Sequence, residues 1–141
     1  MGKKSSSEKL VIAAASAGAA VGAAYLAVGN AIFNKTMSKK SIAKKMDEKK
    51  NEYDGITKEG MEWFDSASPA KVKIVTPRGG YVHGEIILAD EPSDVWVIVI
   101  HGYTGSPRRM GSFGKKFHEM GYNCLFPYLC GHGASESNYV T

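Results

Sequence analysis

Residues 10–33 form a run of twenty-four positions without a charged side chain, and that run limits what the chain can become more than any other feature. As a helix it would be about 36 Å long, against about 30 Å for the hydrocarbon core of a bilayer. Lys3, Lys4 and Lys9 precede it. It is rich in Ala, and its strong apolar residues are Leu10, Val11, Ile12, Val21, Leu26, Val28, Ile32 and Phe33. No polar face recurs at helical spacing, which argues against a helix covering a soluble core. Two readings fit: an uncleaved single-pass membrane anchor, or a secretory signal peptide cleaved to release the rest. Small residues suited to cleavage stand at Ala17 and Ala19 and at Ala27 and Gly29. The run is longer than the usual signal-peptide core, which favours the anchor and a cell-membrane location. Gly18 and Gly22, extended by Ala14, make a small-xxx-small pair that would let two such helices approach in lipid. In so Ala/Gly-rich a run this spacing also arises by chance.

The formal net charge of +4 is unevenly placed. Residues 1–50 carry ten Lys against Glu8, Asp47 and Glu48, a local charge of +7. Residues 51–141 carry eight basic against eleven acidic side chains, a local charge of −3. A nucleic-acid-binding domain needs its positive charge on the folded face, so no nucleic-acid partner is expected. Seven Lys follow the apolar run within twenty residues and three precede it. The positive-inside rule taken alone would place the C-terminal side in the cytoplasm, but it weakens when a long domain follows. The membrane side therefore stays open.

The chain divides into a basic N-terminus (1–9), the anchor or signal segment (10–33), a Lys-rich tether (34–60) and a partial globular domain (61–141). In the tether, Ile42, Met46 and Tyr53 share one face of a short amphipathic helix amid Lys and Glu. That helix either meets anionic lipid headgroups or is simply solvated. Met61, Trp63 and Phe64 mark the approach to the domain, and Ser66, Ser68 and Pro69 punctuate its edge.

Beyond residue 70 the pattern is one of strands. Residues 71–76 alternate, Pro77-Arg78-Gly79-Gly80 makes a turn, and residues 81–88 form a second strand, predicting a hairpin. Residues 95–100 are continuously apolar and mostly β-branched, the pattern of a strand buried on both faces in a parallel sheet. A helix is predicted next, with Met110, Phe113, Phe117 and Met120 on one face and Gly121 as its C-terminal cap. Residues 122–127 are a further apolar strand, completing a βαβ unit. The fold class is α/β.

Three features bring a family into view. One is the apolar strand ending in His101-Gly102-Tyr103-Thr104-Gly105. Another is the helix closing at Gly121-Tyr122. The third is Pro127-Tyr128-Leu129-Cys130-Gly131-His132-Gly133-Ala134-Ser135. Over about residues 61–141 the chain resembles the N-terminal part of an α/β-hydrolase, a hairpin plus a βαβ unit of a mostly parallel sheet. The last segment is similar to a loop often written D-x-x-G-H-G-x-S, with Tyr128 where the Asp often stands. With the anchor and basic tether, the chain resembles membrane-associated bacterial members. The resemblance implies a serine hydrolase that cleaves carboxylic esters, or peptides or amides, through an acyl-enzyme. The backbone N–H of Tyr103 would be one of two oxyanion-hole donors, and His101 would shape the loop. A purely structural strand-to-helix connection is the alternative for that loop.

Such an enzyme needs a G-x-S-x-G elbow, then an acid, then a His, and the 141 residues contain no G-x-S-x-G. No His follows His132. Ser135 and Ser137 read as turn residues. The expectation is an N-terminal fragment whose nucleophile, acid and base lie outside it, inactive alone, marginally stable and prone to aggregate through an open sheet edge. Cys124, Cys130 and His132, with His101 or His118, match no paired-ligand spacing, so core thiols are expected and no metal or cofactor. His83 reads as an ordinary strand residue. The rival functions are a non-catalytic membrane-tethered α/β module and a small lipid-surface protein.

Overall fold

The computed structural model describes residues 5–48, 54–77 and 79–139. Tyr53 of the expected amphipathic face lies outside them, as does the side chain of Met46. The chain forms two compact units, Met1–Thr36 and Met37–Thr141.

Helix α1 (Ser6–Met37) accounts for the first unit, and none of its residues is buried. Its start follows from a capping box: the Ser5 N–H donates to Glu8 Oε2 at 2.9 Å and the Glu8 N–H to Ser5 Oγ at 3.4 Å. The polar side chains inside the helix bond back to its own carbonyls, Ser16 to Ala13 and Thr36 to Ile32. That leaves an apolar cylinder long enough to cross a membrane, and equally compatible with a signal sequence. Open space flanks both Gly18 and Gly22.

The second unit is a mixed α/β fold. Helices α2 (Lys39–Glu48) and α3 (Gly55–Ser66) precede strands β1 (Ala70–Val75), β2 (Tyr81–Ile87) and β3 (Trp96–Ile98). A 3-10 turn (Pro107–Met110), helix α4 (Gly111–Glu119) and strand β4 (Asn123–Pro127) complete it. The strand order is β1-β2-β4-β3. The expected hairpin is present as the antiparallel pair β1–β2. Strand β2 then pairs antiparallel with β4, and only β3–β4 is parallel. The sheet is thus mixed rather than mostly parallel, because the hairpin inserts β2 directly beside β4.

The core lies between the sheet and the two helices on one of its faces. Phe64, Ile87, Val99, Cys124 and Phe126 are buried together, with Trp63, Val97, Met110 and Phe117 packed around them. The Phe64 ring meets Phe126 edge-on at 5.0 Å between centroids. Strand β3 departs from its sequence pattern. It and the two residues after it pack Val97 and Val99 inward but leave Trp96, Ile98 and Ile100 49%, 59% and 60% exposed. Val97 and Val99 face the core cluster, whereas Trp96, Ile98 and Ile100 alternate onto the opposite, exposed face.

The apolar face of α4 also differs from the expected one, since Phe113 and Met120 are exposed. At about 100° per residue, Gly114 sits between Gly111 and Phe117, and Phe113 and Met120 fall to the margin of that contact. The contact is made by glycines. A Cβ on Gly111 would lie 1.9 Å from the Gly60 carbonyl oxygen, and one on Gly114 would lie 2.4 Å from the Phe126 ring. The end of α4 is as expected: Gly121 has φ +81. Its N–H donates to the His118 carbonyl at 2.9 Å, and the Tyr122 N–H to the Phe117 carbonyl at 3.1 Å.

Candidate functional site

Because β3 and β4 are parallel, the loops that follow them leave the same edge of the sheet. These are the 101–105 loop and the 128–136 loop, and two histidines lock them together. His101 is 2% exposed and His132 is 1% exposed, with their rings 4.8 Å apart. His101 Nδ1–H donates to the Gly102 carbonyl at 2.8 Å, and its Nε2 accepts from the Leu129 N–H at 3.3 Å. One nitrogen donating and the other accepting defines a neutral imidazole, with the proton assigned to Nδ1 by this network. His132 Nε2–H donates to the Tyr103 carbonyl. Arg109, on the 3-10 turn, donates from Nη1 to the Thr104 carbonyl at 2.7 Å.

These bonds set the direction of one peptide group. The Gly102 carbonyl accepts from both His101 Nδ1 and the Gly105 N–H, the latter at 2.9 Å. In a trans peptide the N–H points away from the carbonyl, so the Tyr103 N–H is turned to the opposite side of the loop. Gly105 closes the turn from within: a Cβ there would come 2.8 Å from His101 Cβ and 3.1 Å from the Gly102 backbone. The Tyr103 side chain is 41% exposed.

The second loop is sewn to β2. Ser135 is fully buried; its Oγ donates to the Tyr128 carbonyl at 2.7 Å and accepts the His83 N–H at 2.9 Å. It is a turn residue, as expected, with its hydroxyl committed on both sides. The Glu136 N–H donates to the Tyr81 carbonyl at 3.0 Å. His83 holds an ordinary place in β2, opposite Lys73. Tyr128 lays its ring against Gly133, where a Cβ would lie 2.4 Å away, and donates its hydroxyl to Glu85 Oε1 at 2.8 Å. Burial, together with the Glu85 carboxylate, raises the Tyr128 phenol far above its ordinary range. Tyr128 is therefore a fixed donor and not a base. A cleft of about 410 Å³ opens beside this pair, with Lys71 and Arg108 on its wall. Arg108 is engaged there by Asp65 through two bonds, at 2.7 and 2.5 Å.

Cys124 is buried in β4 and Cys130 partly exposed, and both thiols are free. Burial pushes the Cys124 thiol up, away from thiolate chemistry. His118 packs by Trp63 and reaches the Leu88 carbonyl at 3.0 Å. Sequence reasoning missed the clamping roles of His132 and Arg109 and the Glu85–Tyr128 pair. A spacing rule could not have found them, since each contact joins segments far apart in the chain.

The buried His101 makes the loops sensitive to acid. Desolvation lowers its pKa from the ordinary 6.5, only partly offset by its bond to Gly102, and nearby His132 and Arg109 lower it further. The folded state then binds this proton more weakly than the unfolded chain. Its stability contribution is complete above pH 6.5 and falls as the pH drops below that value. We expect the urea midpoint of the second unit to decline below pH 6.5, and His101→Gln to flatten that decline. An unchanged slope in the variant would remove His101 as its source.

The fold and the two clamped loops define a mixed α/β protein with a preorganised turn at one sheet edge, preceded by a long apolar helix. No protein-family model, no curated protein and no solved structure matches this chain.

Proposed function

We propose that these residues are the N-terminal portion of a membrane-anchored serine hydrolase acting on carboxylic esters, with peptides or amides as the next class. The observation that carries the reading is the Gly102–Tyr103 peptide. Its carbonyl is held by two donors, which turns the Tyr103 N–H to the opposite side of the loop. A tetrahedral acyl intermediate needs such a donor fixed in advance, because a group that must reorient during the reaction stabilises less. His101 and His132 serve as positioning residues: each is buried and spends its ring on a loop carbonyl, so neither acts as the base. The nucleophile, the acid, the general base and the second oxyanion donor come from residues outside these 141. The apolar helix α1 supplies the anchor, with cleavage as a signal segment being the alternative outcome of the same test.

The test is hydrolysis of a p-nitrophenyl acyl ester by the native polypeptide purified from source membranes. We expect fluorophosphonate-sensitive turnover in material that stays with the membrane after an alkaline carbonate wash. Turnover that is absent, or that fluorophosphonate leaves intact, would contradict the serine-hydrolase reading. Release by carbonate would contradict the anchor.

A non-catalytic tethered module is the second reading. It is favoured by Ser135, whose buried hydroxyl spends its one proton on the Tyr128 carbonyl and accepts the His83 N–H, a structural role in the 128–136 loop.

A further inference from the structure

Helix α2 does not hang loose in the second unit. Ile42 is 1% exposed, the Lys39 N–H donates to the Asn138 carbonyl at 2.8 Å, and Ser38 bridges Tyr139. Between α2 and residues 138–139 lies a cleft of about 470 Å³, lined by Ser38, Lys39, Lys40, Ala43, Asn138 and Tyr139. We propose that this cleft binds the phosphate of an anionic membrane-lipid headgroup.

The lining carries two ammonium groups, a carboxamide and hydroxyls, and no carboxylate. That set suits a phosphate, whose oxygens accept from several donors at once. Lys39 Nζ is steadied by one bond to the Ser135 carbonyl at 2.8 Å, which leaves the ammonium two further donors. Lys40 is exposed and has no ion pair or hydrogen-bond partner for its ammonium among the described residues. Ser38 immediately follows Met37, the last residue of α1. Lys40 stands seven residues beyond Phe33, the end of the uncharged run. Even fully extended, that stretch spans no more than about 25 Å, so the chain itself keeps the cleft near the headgroup layer. Within about a Debye length of an anionic surface, roughly 10 Å, each lysine is attracted electrostatically. The lipid source rests on the anchor reading of α1; the phosphate chemistry of the cleft does not.

The full chain in uncharged detergent micelles is titrated separately with short-chain phosphatidylglycerol and with inorganic phosphate, following the amide signals of Lys40, Asn138 and Tyr139. We expect saturable shifts with the lipid at concentrations where inorganic phosphate produces none. Lys40→Gln should weaken the lipid response about fivefold. Lys58→Gln, an exposed charge on α3, should leave it unchanged. Absence of saturation would overturn the site, and so would an equal loss in Lys58→Gln, which would mean bulk charge attraction. An equal response to inorganic phosphate would overturn the lipid source. Lys40 is exposed, so its replacement leaves the fold intact, and amide signals elsewhere report this directly. Failure of the anchor reading registers separately, as release of the chain by alkaline carbonate.

Discussion

Tyr103→Pro is expected to lower kcat/KM of the native polypeptide toward an acyl ester by about 100- to 1,000-fold, the usual effect of losing one oxyanion donor. Proline has no backbone N–H, so the substitution deletes the proposed donor at residue 103. It leaves the Gly102 carbonyl in place to accept from His101 Nδ1 and the Gly105 N–H, and the Tyr103 carbonyl in place to accept from His132. Tyr103→Phe is the companion variant. It keeps the N–H and loses only the hydroxyl of a side chain that is already 41% exposed, so its kcat/KM should stay near the parent value. A comparable fall in both variants would assign the effect to the side chain and remove the backbone donor from the account.

The second large effect concerns stability. Gly111→Ala should destabilise the second unit by about 3 kcal/mol, the upper part of the range for overpacking a tight contact. The added methyl would sit 1.9 Å from the Gly60 carbonyl oxygen and 3.1 Å from Phe64 Cβ, so the two helix backbones must separate to admit it. Separation then loosens Phe64 from Phe126, in the centre of the core. Urea unfolding followed by Trp63 fluorescence measures the change. Gly18→Ala on α1, where nothing lies within 4 Å of the added carbon, is the control and should not lower the midpoint. A loss below about 1 kcal/mol in Gly111→Ala would mean that α3 and α4 do not rely on this contact.

Local chemistry explains which parts of the fold could be read in advance. The β1–β2 hairpin follows from the alternating run 71–76 and the second strand run 81–88 around Pro77-Arg78-Gly79-Gly80. The stop of α4 follows from Gly121, which takes a left-handed φ at little cost. Buried in the sheet, β4 matches its apolar pattern. Misreadings arose where packing decides. An apolar run describes what a strand tolerates around it, whereas the exposure of Trp96, Ile98 and Ile100 depends on which elements neighbour β3. Apolar spacing likewise pointed to Phe113 and Met120, while the contact uses Gly111 and Gly114, whose lack of a side chain leaves no periodic signal.

The candidate site divides in the same way. Glycines 102 and 105 and the motif around His132 could be picked out from their residue types. The partners that fix them could not. The Ser135 hydroxyl meets the His83 backbone fifty-two residues away, and the Lys39 ammonium meets the Ser135 carbonyl across ninety-six. Tyr128 shows what such distances conceal. From sequence it is only a departure from an expected Asp, but in the fold its hydroxyl brings the Glu85 carboxylate of β2 to the same loop.

The most direct test of the central claim is the intact mass of the native polypeptide, taken from source-cell membranes after fluorophosphonate labelling. The account predicts a mass above the 15.2 kDa of these 141 residues, with one probe adduct on the serine of a G-x-S-x-G segment outside them. A mass of 15.2 kDa without an adduct would contradict it, and the clamped loop at Tyr103 would then be a structural turn with no acyl chemistry to serve.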